Sequence, residues 1–366
     1  MLAMPIQEQR FWDRPHHLAP RLETARVALV CRDFGGNGVS HVGLRISADY
    51  TAKTLRRDGV WAEAWSVKSS ADLISRLRRT HAIAVGQGDV RPSHIVVSAP
   101  WVESKDLAAM AEEFQEIVFL VVSHSSVGFL SADPHAIKIL REVADMHMSS
   151  HNVLVGGNSQ KFVDWATETW GVHAVYAPNL YDMSEVWDHK DRNWRPGTLL
   201  RLGLFGANRP LKNHIGGAAA AAELATKLGT PVTLHMSSGR CEGGSMAAIN
   251  EMVAGVPNLT LKLEGWMPWP TFRRLVRTMD LVFQVSYTES FNVVTADAVA
   301  EGVPVVASDA IDWVPDWWKA ASDVPRDLAR VAERLLYDPT TGHQGRQALA
   351  AYVKQGLVAW RQFLGA

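Results

Sequence analysis

Two carboxylates, Glu289 and Asp297, stand out in the stretch 281–309, LVFQVSYTESFNVVTADAVAEGVPVVASD. The stretch reads as strand (281–285), polar loop (287–290), helix (291–301), turn and strand (304–307). Gly302 suits the left-handed position that follows a helix. The backbone N–H groups of Phe291, Asn292 and Val293 would be the unpaired donors of the first helical turn. That end of a helix attracts anions through free donors and the helix dipole together. A carboxylate in the loop beside such a site could hold a sugar diphosphate: the donors take phosphate, Glu289 takes sugar hydroxyls and Asp297 reaches a ribose. The same pattern also fits a plain α/β crossover whose acids are solvated or cap the helix.

Further charged and polar groups stand at the ends of other strands. Arg209 and Lys212 follow an apolar strand (199–205) and precede an Ala-rich helix ending near Leu228. Two cations in such a loop can neutralise a diphosphate and stabilise it as it leaves; they could equally be solvated surface cations. His124, in SerHisSerSer, follows the fully apolar run 117–122, and ligands of open α/β sheets sit outside the strand ends. It could instead cap the sheet edge. After the strand 26–31 come Gly35, Gly36, Asn37 and Gly38, where the backbone can approach a ligand closely. This loop is not G-x-G-x-x-G and no acid follows at the ribose position, so a nicotinamide dehydrogenase is poorly supported.

These loops need a frame. Strand-like runs at 60–67, 94–98, 152–157, 172–176, 232–236 and 259–263 join those above. They alternate with helical spacing at 39–59, 70–79, 105–116, 269–278, 327–336 and 344–363. Such alternation predicts α/β architecture with parallel sheets covered on both faces. The length suits two domains. A polar stretch broken by Pro and Gly, 181–197, reads as the hinge. The loop 237–244 carries no assigned role.

Composition narrows the class. With 47% hydrophobic residues the chain is globular, and a formal net charge of −1 argues against a generally basic nucleic-acid binder, though not against a local groove. Cys31 and Cys241 lie far apart without metal-ligand spacing, so a reducing, cytoplasmic setting is expected. The first residues carry charges and Pro where a signal peptide needs an apolar run. No apolar span is long enough to cross a bilayer.

The 280–309 stretch resembles the E-x7-E signature of retaining glycosyltransferases of family 4 (glycosyl transferases group 1), which have the GT-B fold. The matching residues are Asp280, Ser286, Glu289, Phe291, Ala298, Ala300, Gly302, Pro304, Val305, Val306, Ser308 and Asp309. Three positions depart: Asp297 replaces a Glu, Asn292 a Gly, and Val285 stands where Pro is common. The glycine loop resembles the family's first loop. Pro178 and Asn179 match the element that ends the first domain, with Leu180 in place of Gly. Arg209 and Lys212 resemble the family's Arg and Lys, more closely spaced and with Asn213 for Gly.

The resemblance implies two Rossmann-like doubly wound domains facing a cleft (1–185 and 186–345) and a C-terminal helix (346–366) crossing back. It implies a nucleotide-sugar donor, UDP- or GDP-linked, held mainly by the second domain. The diphosphate would meet Arg209, Lys212 and the helix start. Gly36, Asn37 and Gly38 would face the donor, and the backbone at Trp266 and Met267 would meet the base. His124 would lie near the reacting sugar or acceptor. Retention without metal or other cofactor is implied, a leaving-phosphate oxygen taking the acceptor proton. Trp313, Trp317 and Trp318 could stack an acceptor or pack the interdomain edge; packing is preferred. The acceptor stays open: a glycan, a small molecule or hydroxymethylated DNA. The ArgProLeuLysAsnHis variant and compact size resemble phage-encoded enzymes, some of which modify hydroxymethylpyrimidines; the setting would then be the host cytoplasm. A sugar-nucleotide epimerase and a non-catalytic nucleotide-sugar binder are the alternatives.

Overall fold

The computed structural model describes residues 25–33, 42–87, 91–186, 194–242 and 245–365. The first half alternates strands and helices: β1 (Arg26–Arg32), α1 (Val42–Arg57), β2 (Trp61–Val67), α2 (Ser70–Gln87), β3 (His94–Ser98), α3 (Ser104–Glu113), β4 (Val118–Ser123), α4 (Val127–Leu130), α5 (Pro134–Ser149), β5 (Val153–Gly157), α6 (Gln160–Trp170) and β6 (Val175–Tyr176). The strands form one parallel sheet ordered β2-β1-β3-β4-β5-β6. Successive residues of a strand face opposite sides, and both sides are buried. Val97 and Val121 join one apolar cluster; Val96 and Val122 join the other. This is why these strands read as unbroken apolar runs.

The second half continues with β7 (Leu200–Leu204), α7 (His214–Leu228), β8 (Val232–Ser237), α8 (Ser245–Val253), β9 (Leu259–Glu264), α9 (Trp269–Arg277), β10 (Leu281–Gln284), α10 (Val293–Ala300), β11 (Val305–Ala307), α11 (Pro325–Tyr337) and α12 (Thr341–Phe363). Its parallel sheet runs β11-β10-β7-β8-β9. Each segment read as a strand contains one, though the run 172–176 is strand only at Val175–Tyr176. Helices α4, α5 and α8 arise where the sequence reading assigns none.

Strand order reverses between β1 and β3 in one sheet and between β7 and β10 in the other. In open α/β sheets these switch points open crevices beyond the carboxyl ends of the strands. The first lies beyond the carboxyl end of β1, and Gly35, Gly36, Asn37 and Gly38 lie outside the described residues. The second lies between the loops carrying Arg209–Lys212 and Ser286–Glu289.

The halves are joined by more than a polar hinge. Tyr181 is fully buried and, with Tyr50 of α1, enters the apolar cluster of the second half. The two rings meet edge-on, centroids 4.8 Å apart. The last helix spans both halves: Leu349 and Val353 sit in the second core, while buried Trp360 sits in the first and donates to Pro178 O at 2.9 Å. Gly356 lets this helix approach; a Cβ there would lie 2.7 Å from Leu180. No helix among the described residues is long and apolar enough to cross a membrane.

Candidate functional site

The loop after β10 is strapped to the loop after β7. Tyr287 N donates to Leu211 O, Asn213 Nδ2 to Val285 O at 3.1 Å, and Ser308 Oγ to Ser286 O. Gln284, at the end of β10, donates to Phe205 O and accepts from Asn292 Nδ2, each at 2.9 Å. These bonds hold the loop carrying Glu289 against the loop carrying Lys212.

Glu289 is only 5% exposed. Its Oε1 receives Lys212 Nζ at 2.5 Å, Ser286 Oγ at 2.7 Å and Asn292 Nδ2 at 3.0 Å. A buried carboxylate needs such partners to remain charged. Among the described residues all three bonds fall on Oε1, so Oε2 is the oxygen left for another donor.

Helix α10 begins at Val293, two residues later than expected. Asn292 is its cap, at φ 61°, accepting from Thr295 N at 2.9 Å. The departure from Gly is therefore intelligible: the position needs a left-handed residue, and Asn tolerates that better than other side chains while adding a cap. The donors of the first turn are then those of Val293 and Val294. Phe291 lies outside the helix; its ring stacks on Trp313 and Tyr352 at 5.8 and 5.1 Å. Trp313 packs here and donates to Phe291 O, and Trp318 is fully buried, in keeping with the preference for packing. The start of α10 faces the start of α1: a Cβ on Gly43 would lie 3.8 Å from Val293 Cγ1.

Asp297 does not open onto this cleft. It is 1% exposed, with Oδ1 accepting from Tyr181 OH at 2.7 Å and Oδ2 from Trp269 Nε1 at 3.0 Å. Burial raises its pKa to about 6 against the opposing pull of those two donors and of Arg273. In this structure the residue read as a ribose ligand joins the two halves instead. One helical turn brought it to the helix face that meets Tyr181, a contact invisible in the sequence.

The two cations already carry acids. Lys212 holds Glu289. Arg209 Nε lies 3.2 Å from Glu242 Oε1, and Arg240 Nη2 lies 2.8 Å from the same oxygen. Burial, then the neighbouring Arg240 charge, lowers the Arg209 pKa. Phe129 of the first half faces both: Arg209 Cζ is 5.9 Å and Lys212 Nζ 5.4 Å from its ring centre. Arg240 and Glu242 were missed because they follow a different strand, β8. The pairing of Asn208 with Cys241 brings their loop to Arg209. That loop also touches the expected base region, since a Cβ on Gly239 would lie 3.2 Å from Trp266. Trp266 is 55% exposed, and Met267 is half-buried.

Across the cleft, His124 follows β4. Ser290 Oγ donates to His124 O at 3.0 Å, and Asn158 Nδ2, at the end of β5, lies 3.3 Å from Ser290 Oγ and 3.4 Å from His124 Nδ1. Thr288 Oγ1 donates to Ser126 Oγ at 2.6 Å. Desolvation pushes the His124 pKa down to about 4, so the imidazole is neutral at pH 7. His124 also lines a cavity of about 10 Å³ with Thr51, Ser98 and Asn179. Among the described residues no cluster of three or more His, Cys, Asp and Glu is placed to hold a metal ion. Neither Asn158 nor Ser290 was singled out in sequence; a polar residue directly after an apolar strand was the available signal.

Neither a family model nor a curated protein matches this chain. Solved structures do. HepE from Anabaena, in complex with UDP and glucose, aligns with TM-score 0.59 at 15% identity, covering 93% of this chain and 98% of that one. Sucrose-phosphate synthase from Thermosynechococcus elongatus gives 0.60 at 14% identity, over 93% and 100%. A glycosyltransferase from Rickettsia africae gives 0.59 at 12% identity, over 93% and 99%. At such identity the likeness bears on architecture: the chain has the GT-B fold, two Rossmann-like halves facing a cleft.

Proposed function

We propose that this chain is a glycosyltransferase of the family 4 type, moving a sugar from a nucleotide sugar to a hydroxyl acceptor with retention and without a metal ion. One observation carries the reading: Glu289, Lys212 and the capped start of α10 meet at the second switch point, facing the first half of the chain. An acid for sugar hydroxyls thus adjoins a cation and free backbone donors for a diphosphate. HepE has been solved with UDP-glucose, which makes a UDP-sugar the first donor to try.

In the reaction the bond between the anomeric carbon and the β-phosphate oxygen breaks. The acceptor oxygen bonds to that carbon on the same face, and its proton passes to an oxygen of the departing diphosphate. Lys212 and Arg209 stabilise the charge growing on that diphosphate. To do so they exchange Glu289 and Glu242 for phosphate oxygens. Glu289 keeps Ser286 and Asn292 as donors and offers Oε2 to sugar hydroxyls. The acceptor is proposed to be a glycan or small-molecule hydroxyl.

The test is UDP or GDP release from a panel of UDP- and GDP-sugars, with EDTA present, with and without candidate acceptors that include hydroxymethylated DNA. Release that Glu289→Ala abolishes supports the reading. A mass gain on DNA would move the acceptor to that class, and conversion of the sugar with no acceptor would favour an epimerase. No release and no thermal stabilisation with any nucleotide sugar would sink it.

A further inference from the structure

Imidazole has two unlike nitrogens, and the bonds around the ring decide which one carries the proton. For His124 those bonds can be followed atom by atom. The Ser290 hydroxyl meets the His124 carbonyl oxygen at 3.0 Å. A carbonyl only accepts, so Ser290 spends its single proton there. Towards Asn158, 3.3 Å away, Ser290 Oγ must therefore accept, which turns the NH2 of Asn158 to it. The same NH2 lies 3.4 Å from His124 Nδ1. That nitrogen must present a lone pair, and the ring proton must sit on Nε2.

Asn158 is built to stay in this orientation. It is 1% exposed, and its backbone N–H is tied to Ser123 O at 3.0 Å. Its Oδ1 is buried without a hydrogen-bond partner. A buried carbonyl left unpaired costs stability, and such exceptions call for an explanation beyond folding. Ser290 follows Glu289 directly, so the loop that would hold the donor sugar also sets the amide on the opposite wall.

We propose that Asn158 is a positioning residue which, oriented by Ser290 from across the cleft, fixes His124 as the neutral Nε2–H tautomer. His124 is then a hydrogen-bond donor to the bound sugar or acceptor and not a general base. No other described residue bonds Nε2 in the hydrogen bonds of the structure, which leaves its proton to a ligand. The tautomer follows from this chain's own geometry; its part in catalysis rests on the glycosyltransferase reading.

The experiment is a long-range proton–nitrogen NMR correlation on the full chain carrying ¹⁵N-histidine, at pH 7, with His124 assigned through His124→Gln. The wild type should show Nε2 protonated and Nδ1 bare. Asn158→Asp replaces the donor by an acceptor and should move the proton to Nδ1. With the active donor its kcat should fall about a hundredfold, while KM for the donor changes little. Ser290→Ala, which leaves Asn158 free to turn, should give a mixture of tautomers. A bare Nε2 in the wild type overturns the proposal whether or not the variants fold. So does an unchanged tautomer in Asn158→Asp, and a pure Nε2–H form in Ser290→Ala removes Ser290 from it. Absence of transfer with every donor would count against the glycosyltransferase reading alone, because the NMR result needs no substrate.

Discussion

Lys212 Nζ lies 2.5 Å from Glu289 Oε1, although 77 positions separate the two residues. The pair is asymmetric: Glu289 is almost wholly buried, while Lys212 retains 23% exposure. The carboxylate is therefore the partner that needs the bond, and the cation is the one free to leave it for a phosphate.

Lys212→Ala should weaken UDP binding and also destabilise the apo chain, because it strips a buried carboxylate of its cation. A loss of roughly 1–3 kcal/mol is expected. Urea unfolding with and without UDP separates the two effects. An unchanged midpoint would mean that Glu289 does not depend on Lys212.

Glu242 shares its single negative charge between Arg209 and Arg240. Glu242→Ala should therefore tighten UDP binding, whereas Arg209→Ala and Arg240→Ala should each loosen it, by about tenfold for a lost charge-assisted bond. Calorimetric titration at two salt concentrations reads both signs. Weaker binding in Glu242→Ala would show that the acid contacts the nucleotide itself.

Asn292 serves as a cap, as a left-handed residue and as a donor to Glu289. Asn292→Gly keeps the backbone and loses the bonds; Asn292→Ala loses all three. The Ala variant should be the less stable of the two by about 1 kcal/mol. Equal midpoints in thermal unfolding would remove the backbone argument.

Acid should destabilise the chain in a countable way. Burial lowers the pKa of His94, His124 and His214 from 6.5 to about 4. At pH 5 the unfolded chain binds nearly one proton more than the folded chain at each, so their stability contribution is present above pH 6.5 and lost on descending toward 4. Asp297 has the opposite sign: raised from 3.8 to about 6, it favours the folded state at low pH and loses that contribution as pH rises through this window. Three gains against one loss leave a net uptake of about two protons on unfolding at pH 5, or roughly 2.7 kcal/mol per pH unit from these groups. Urea midpoints between pH 4.5 and 6.5 measure the slope. His214→Gln should reduce it by about one proton, and no reduction would contradict the buried neutral form.

Much of the frame was legible because its signals are local. Apolar runs such as 117–122 and 94–98 mark strands buried on both faces, and Gly302 ends α10 at a positive φ of 71° as its place implies. Helix α5 was legible but not read: its buried positions Ala136, Ile139, Leu140, Val143 and Ala144 recur at helical spacing behind an Asp133 cap followed by Pro134.

Within the site, residue chemistry and chain order were enough to pick out Glu289, Lys212, Arg209 and His124 as the groups worth following, because each stands directly beyond a recognisable strand. Their pairings were not legible. Glu242 beside Arg209, Asn158 between His124 and Ser290, and Asp297 turned to Tyr181 depend on how strands order in the sheets and how the halves meet. Hydrogen bonds act over about 3 Å, so the packing of α10 against Tyr181 decides that Asp297 is sealed between the halves while Glu289, in the loop before that helix, meets Lys212. The sequence alone settled which side chains stand at the strand ends; the tertiary structure alone decided which of them face each other, because short-range forces read distance in space and not along the chain.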